Sequence, residues 1–185
     1  MRSSIAIIAL ATSLMMLAIV VPALAHDAYI GDQNNPVEMN GWDIQLYNHP
    51  DESPYKGWAF VFVKNTSQEA WGDFHFKIFS YDGSDVSSVD FKDASMGGMD
   101  PISTQTGLTW TINNTVVGAE MSLYFYGDPV LPGQFAQFQV YTDNTAGKVN
   151  FGLMIWPSPI PEPSVLLALS GGLIGAAGLA WRRRR

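Results

Sequence analysis

Carboxylates in one short acidic segment are the residues of this sequence that most resemble a metal site. Asp82 and Asp85 flank Gly83-Ser84, and three more aspartates follow by position 100. Carboxylate oxygens are the hard ligands that Ca²⁺ prefers, but the segment lacks the Asp-x-Asp-x-Asp-Gly spacing and the closing glutamate of an EF-hand. The sequence therefore predicts Asp82 and Asp85 as the one candidate calcium site, with a solvated acidic loop as the alternative, and no other cofactor.

Sequence motifs of catalysis are missing. The chain has no Gly-x-Ser-x-Gly elbow, no His-Glu-x-x-His pair and no glycine loop of the phosphate-binding type. It also has no cysteine, which excludes thiol catalysis, cysteine-ligated metals and disulfides. We therefore expect a protein that is not an enzyme. A hydrolase with two carboxylates facing each other across a cleft is the alternative.

Aromatic residues offer a binding chemistry instead. Trp71 and Tyr81 lie near the ends of a predicted strand, where exposed rings could stack on sugar rings. The alternative role for these residues is filling of a hydrophobic core. The sequence thus makes Trp71 and Tyr81 candidates for carbohydrate stacking, while core filling is the role it favours for most of the aromatic residues.

The segment that must position these residues, 26–155, alternates apolar and polar residues in about eight short runs. Turn signals rich in Gly, Asn and Asp separate the runs. This pattern predicts an all-β, antiparallel β-sandwich of the immunoglobulin-like kind, with a jelly roll as the alternative, followed by a linker at 156–160. The predicted core consists of Trp58, Phe60, Phe62, Phe76, Ile78, Trp110, Phe138 and Val140.

Charge is distributed very unevenly along the 185 residues. The five arginines are Arg2 and Arg182 to Arg185, whereas residues 26–160 hold five lysines against sixteen acidic residues, a formal charge of −11. Such a charge keeps a domain soluble and repels anionic partners. We expect no nucleic-acid partner.

The N-terminus is typical of a cleaved signal peptide at 1–25. Arg2 precedes an apolar run over 5–21, and Ala23-Leu24-Ala25 supplies the small-x-small pattern that signal peptidase accepts. Pro22 ends the apolar helix before the cleavage residues Ala23 and Ala25. An uncleaved signal anchor is the alternative, and either interpretation predicts export.

The C-terminus carries a second apolar segment. Residues 164–181 contain no charge and would span about 27 Å as a helix, close to the thickness of a bilayer core. Arg182, Arg183, Arg184 and Arg185 follow directly and predict a cytoplasmic stop by the positive-inside rule. Pro161-Glu162-Pro163 would then lie on the outer side, in an extended conformation that a processing enzyme can bind.

This order of Pro161-Glu162-Pro163, apolar helix and arginine cluster resembles the PEP-CTERM sorting signal of Gram-negative bacteria over 161–185. The resemblance implies that Pro161, Glu162 and Pro163 are recognised by a membrane-embedded exosortase, and that Arg182 to Arg185 form the cytoplasmic stop. It further implies an inner-membrane intermediate, then the cell surface or extracellular matrix, in an exopolysaccharide or biofilm context. We therefore expect a non-enzymatic exported surface protein; a module that binds a surface polysaccharide is the alternative.

Overall fold

The computed structural model describes residues 26–160 of the chain. The predicted signal peptide 1–25, with Ala23 and Ala25, and the predicted sorting signal 161–185, with its transmembrane segment 164–181, lie outside the described residues. Residues 26–160 form eleven β-strands and one short 3₁₀ turn, Ala94–Met96. None of the helical structure in this part of the chain is long and apolar enough to cross a membrane.

Sheet A is built on two long antiparallel strands. Its strands are β1 (Ala28–Ile30), β2 (Val37–Met39), β4 (Lys56–Asn65), β6 (Asp90–Phe91), β7 (Ile102–Ser103) and β10 (Phe135–Asp143). Strands β4 and β10 pair along their whole length. The short strands β1 and β2 lie parallel to β4 along its free edge, and β6 and β7 line the far edge of β10.

Sheet B is wholly antiparallel, in the order β3-β11-β5-β9-β8. Its strands are β3 (Gln45–His49), β5 (Trp71–Phe79), β8 (Thr109–Asn113), β9 (Glu120–Tyr124) and β11 (Phe151–Pro159). The last strand of the chain therefore lies inside the sheet, between β3 and β5.

The inner faces of the two sheets share one buried cluster of apolar side chains. Phe138 of β10 stacks on Phe74 of β5 with ring centroids 4.5 Å apart, and it meets Phe76 edge-on at 6.4 Å. Full burial of each such side chain contributes about 1.5–3 kcal/mol. The prediction of an all-β protein with two packed, largely antiparallel sheets is confirmed.

Strand β4 faces the opposite way from the prediction. Its buried residues are Ala59, Val61 and Val63, whereas Trp58, Phe60 and Phe62 are half-buried on the outer face. Period-two alternation cannot choose a face when both faces are apolar. Because Val61 pairs with Phe138 and the large rings of β5 and β10 already fill the space between the sheets, the smaller side chains of β4 fit inside.

Most of the other predicted core positions are confirmed, because polar neighbours in the sequence identify the outer face of their strands. Four of them are fully buried: Phe76, Ile78, Phe138 and Val140. Trp110 is half-buried, and its Nε1 donates a hydrogen bond to Asp93 Oδ2 at 3.1 Å.

The predicted linker 156–160 is wrong in the structure, because β11 continues through Trp156 to Pro159. Pro157 pairs with Phe74, although proline has no N–H to donate. Strand β3 pairs with β11 only as far as Ile155, so one edge of β11 is open beyond that residue and proline is tolerated there.

Candidate functional site

The two aromatic residues predicted to bind sugar do not form a binding surface. Trp71 is fully buried, with both its backbone groups bonded to Val130 at 3.0 Å and its ring 6.4 Å from that of Phe74. Tyr81 is half-buried beyond the other end of β5. The prediction for Trp71 is therefore wrong: at the start of a strand its ring turned inward, to the core.

The two aspartates predicted to bind calcium hold their own loop together. Asp82 Oδ1 accepts a hydrogen bond from the Ser84 amide, and Asp85 Oδ1 accepts one from the Ser87 amide, both at 2.9 Å. Hydrogen bonds from Ser84 lower the pKa of Asp82, and those from Ser87 lower the pKa of Asp85. Within residues 26–160 no three histidine, aspartate or glutamate side chains converge on a metal-sized position.

The outer face of sheet A carries a surface of aromatic rings, which we term the aromatic face. It consists of Tyr29, Trp58, Phe60, Phe62, Phe135 and Tyr141. Tyr29 pairs with Phe60 across β1 and β4, and their rings stack at 4.8 Å with an interplanar angle of 6°. Trp58 pairs with Tyr141 across β4 and β10, and their rings meet edge-on at 5.7 Å. Strand register therefore places the rings side by side.

Local chain geometry fixes the edge of the aromatic face. Asp27 Oδ1 accepts a hydrogen bond from the Trp58 amide at 3.0 Å, which ties the start of β1 to β4. Gly31 ends β1 with a φ of 69°, and a Cβ at this position would lie 2.8 Å from the Phe62 carbonyl oxygen. Only glycine suits this left-handed turn against the β4 backbone. Tyr29 is thus held beside Phe60 while 67% of its surface stays exposed.

Polar side chains accompany the rings. Gln139 pairs with Phe60, and Gln137 pairs with Phe62, on the same face. Phe62, Phe135 and Gln137 line a cleft of about 360 Å³, to which Asp32, Gln33 and Thr104 add polar walls. The face thus combines flat apolar rings with amide groups that both donate and accept hydrogen bonds.

A second constellation lies on the outer face of sheet B, around His75. The imidazole Nδ1 lies 2.8 Å from Ser122 Oγ, and Nε2 lies 2.9 Å from Ser158 Oγ and 3.2 Å from Asp73 Oδ1. Tyr126 Oη donates a hydrogen bond to Asp73 Oδ2 at 2.9 Å. Partial desolvation of the Tyr126 hydroxyl and its contact with the Asp73 carboxylate raise the pKa of Tyr126 to about 12, although the residue as a whole is exposed.

Serine, histidine and aspartate are the residue types of a hydrolytic triad, but this setting does not favour acyl transfer. Strand β5 lies between β11 and β9, and its backbone is paired on both sides around His75. Acyl transfer requires hydrogen-bond donors aimed at a developing oxyanion. In the middle of an antiparallel sheet the amide groups are committed to neighbouring strands. The arrangement around His75 therefore suits cross-strand stabilisation.

The described chain ends beside the start of β5. The Ile160 amide donates a hydrogen bond to the Ala70 carbonyl at 2.8 Å. The predicted recognition residues Pro161, Glu162 and Pro163, and the predicted stop Arg182 to Arg185, lie outside the described residues. The last strand thus leads directly into the segment that the sequence marks for sorting.

Comparison with protein families bears on that segment. A family model described as the PEP-CTERM protein-sorting motif matches residues 159–185. The chain carries a PEP-CTERM sorting motif. The resemblance drawn from Pro161-Glu162-Pro163 and the terminal arginines is confirmed, and the motif marks this chain as an exported protein with exosortase as its processing partner. No curated protein and no solved structure matches the chain.

The PEP-CTERM motif and the folded domain meet without a spacer. The matched segment begins at Pro159, the last residue of β11. The aromatic face lies on the other sheet, and it was not predicted from the sequence because Trp58, Phe60 and Phe62 were assigned to the core. The available signal was size: on β4 the large rings alternate with the small residues Ala59, Val61 and Val63.

Proposed function

We propose that this exosortase-processed protein is a non-enzymatic component of the cell surface or extracellular matrix, and that its aromatic face binds a neutral polysaccharide. The observation that carries the proposal is the parallel ring pair of exposed Tyr29 and half-buried Phe60, continued along β4 by Trp58 and Phe62. The exopolysaccharide context implied by the sorting motif supplies such a polymer outside the cell.

The chemistry of the face suits sugar rings. The apolar C–H surface of a pyranose packs on an aromatic ring, and its hydroxyl groups bond to amides such as those of Gln137 and Gln139. The negative charge of the domain disfavours uronic or sulfated polymers, because acidic groups such as Asp32 line the adjoining cleft. We therefore expect neutral hexose polymers as ligands.

The aromatic face is tested by glycan-array and affinity-electrophoresis measurements on the exported protein. Tyr29→Ala and Phe60→Ala should each weaken binding about tenfold, the loss expected when one stacking contact worth about 1.4 kcal/mol is removed. Tyr124→Ala is the matched control, because Tyr124 stacks on Tyr126 on the opposite sheet. Equal binding by all three variants, or binding that only Tyr124→Ala abolishes, would contradict the proposal.

Processing is tested separately in cells that contain an exosortase. Replacement of Pro161, Glu162 and Pro163 by alanine should leave the tail attached, as mass spectrometry of the intact protein would show. Pro157→Ala is the control, since this proline lies in β11 and precedes the matched motif. Normal tail removal in the triple variant would contradict exosortase recognition of these residues.

The strand connections favour a jelly-roll variant for the sandwich. From β3 to β6 each successive strand changes sheet, and β9, β10 and β11 do the same. In the immunoglobulin fold, successive strands such as A and B, or F and G, lie in the same sheet. Within residues 26–160 only the β8–β9 connection joins two consecutive strands that pair with each other. We infer that the immunoglobulin-like alternative is the less suitable description of residues 26–160.

A further inference from the structure

One end of the domain exposes four large apolar side chains around the point where the described chain stops. We term it the exit end and define it by Trp42, Ile44, Tyr126 and Leu131. Their exposed fractions are 66%, 58%, 58% and 46%. Exposed apolar residues are ordinary when scattered, but a group of them at one end of a domain marks an interaction surface.

Tyr126 and the residue before Leu131 lie beside the start of β5, where Ile160 is also held. The ring of Tyr126 and the side chain of Ile160 pack together over Gly72, whose carbonyl accepts a hydrogen bond from the Phe125 amide. The Ile160 amide is bonded to the Ala70 carbonyl, directly before β5. The next residue, Trp71, forms a bridge with Val130. Leu131 follows Val130 in the chain.

Trp42 and Ile44 reach the same end from the opposite edge of sheet B. They precede β3, whose first residue Gln45 pairs with Ile155, so they lie on the side of β11 that leads to Pro159. Strand β2 ends just before the loop that holds Trp42, and it is bonded to the β4–β5 connection, where the Thr66 amide donates to the Met39 carbonyl at 2.9 Å. Strand register therefore places the four residues of the exit end at the same end of sheet B, in several different loops.

The sequence beyond Ile160 determines what lies opposite this surface. Four peptide units lead from Ile160 to Ser164, a reach of at most about 14 Å even when fully extended. At Ser164 begins the uncharged segment 164–181, which is followed by four arginines. If that segment spans the membrane before processing, as the sequence predicts for the sorting signal on which the proposed function relies, the exit end is held against the outer surface of the bilayer.

We propose that the exit end docks on the bilayer surface in the membrane-anchored precursor, with Trp42 and Tyr126 at the level of the lipid headgroups. The inference rests on the proposed anchoring by residues 164–181. Indole and phenol rings are favoured at this interface, because they present an apolar body and a polar tip. Removal of the tail by exosortase then frees the domain from the membrane surface.

Charge at the exit end sets the type of lipid contact. Asp43, Glu69 and Asp128 lie in the loops that surround the four apolar residues, and Asp43 and Glu69 are exposed. Carboxylates are repelled by anionic headgroups, so the attraction is apolar and should not weaken at high ionic strength. Zwitterionic lipid is the partner that suits both the exposed apolar side chains and the carboxylates of the exit end.

Site-specific labelling tests the docking, since the chain has no native cysteine. Full-length Ile44→Cys and Leu131→Cys proteins are labelled with an environment-sensitive fluorophore and reconstituted into phosphatidylcholine–phosphatidylethanolamine vesicles. Val117→Cys is the matched control, because Val117 is 73% exposed in the β8–β9 hairpin at the opposite end of sheet B. These three variants leave Trp42 and Tyr126 in place.

We expect headgroup-level nitroxide lipids to quench the labels at 44 and 131 several-fold more strongly than the label at 117, at low and at high salt and at every protein-to-lipid ratio. Equal quenching at the three positions, in protein whose segment 164–181 resists carbonate extraction, overturns the docking and leaves the anchoring intact. Failure of the segment to insert overturns both. If quenching changes with the protein-to-lipid ratio, the exit end binds a second copy of the protein. If the labels are protected from quenching only when exosortase is added, the exit end binds the enzyme. Either result overturns the lipid contact.

Discussion

Gly72 is the residue at which the packing of the exit end tolerates no side chain. A Cβ there would overlap the Tyr126 ring and the Ile160 side chain. Gly72→Ala should therefore lower the free energy of unfolding by about 1–3 kcal/mol, as overpacking of a filled contact does. Chemical denaturation measures the change. Gly127→Ala is the control, since no heavy atom lies within 4 Å of a Cβ at Gly127, and an equal loss in both variants would contradict this packing.

Asp143 makes the stability of sheet A depend on pH. Partial burial opposes ionisation of Asp143, but hydrogen bonds from Thr145 and from Lys92 outweigh it and lower the pKa of Asp143 to about 2. A carboxyl whose folded pKa is depressed stabilises the protein above its unfolded pKa of about 3.9, and this contribution disappears as the pH falls towards 2.

We therefore expect Asp143→Asn to flatten the fall in unfolding free energy between about pH 4 and pH 2. Solvent screening keeps the difference from the wild type below about 1 kcal/mol at neutral pH. Urea denaturation at several pH values measures it. Asp43→Asn is a surface control away from this ion pair, and a pH profile of Asp143→Asn that matches the wild type would contradict the assigned role.

At the scale of elements, strand β4 has a buried inner face and a half-buried outer face, and both are apolar, so that composition alone cannot tell them apart. Val61 is fully buried between the sheets, whereas Phe60 is half-buried and stacks on Tyr29. Val61→Ala should lower the free energy of unfolding by about 2 kcal/mol through lost burial and a residual cavity. Phe60→Ala should lower it by less, although it removes more atoms. The opposite ranking in thermal or chemical denaturation would contradict the observed register.

The same strand shows what the sequence could and could not predict. On β5 and β10 polar residues alternate with Phe76 and Phe138, so the buried face follows from the pattern. On β4 both faces are apolar, and only the volume left by the partner sheet decides between Phe60 and Val61. The aromatic face was missed for this reason, since its position depends on long-range packing. The sorting motif was predictable because its local order needs no tertiary contact.

At the scale of the whole molecule, the folded domain abuts the segment that exosortase must process. Strand β11 lies between β3 and β5, and the matched PEP-CTERM motif begins at its last residue, Pro159. The Ile160 amide is bonded to Ala70, so a membrane-embedded enzyme meets the domain one residue before Pro161. Steric crowding by the domain should therefore limit the rate at which the tail is removed.

Insertion of a flexible ten-residue Gly-Ser linker after Ile160 should relieve this crowding, because a Gly-Ser chain behaves as a random coil and separates the domain from the membrane surface. We expect the ratio of processed protein to precursor to rise in a pulse-chase experiment followed by mass spectrometry. The same linker placed in the β8–β9 turn at 114–117 is the control and should leave the rate unchanged. An unaltered rate after the insertion at Ile160 would contradict the steric crowding. A slower rate would also contradict it and would show that the direct junction of β11 with the motif assists processing.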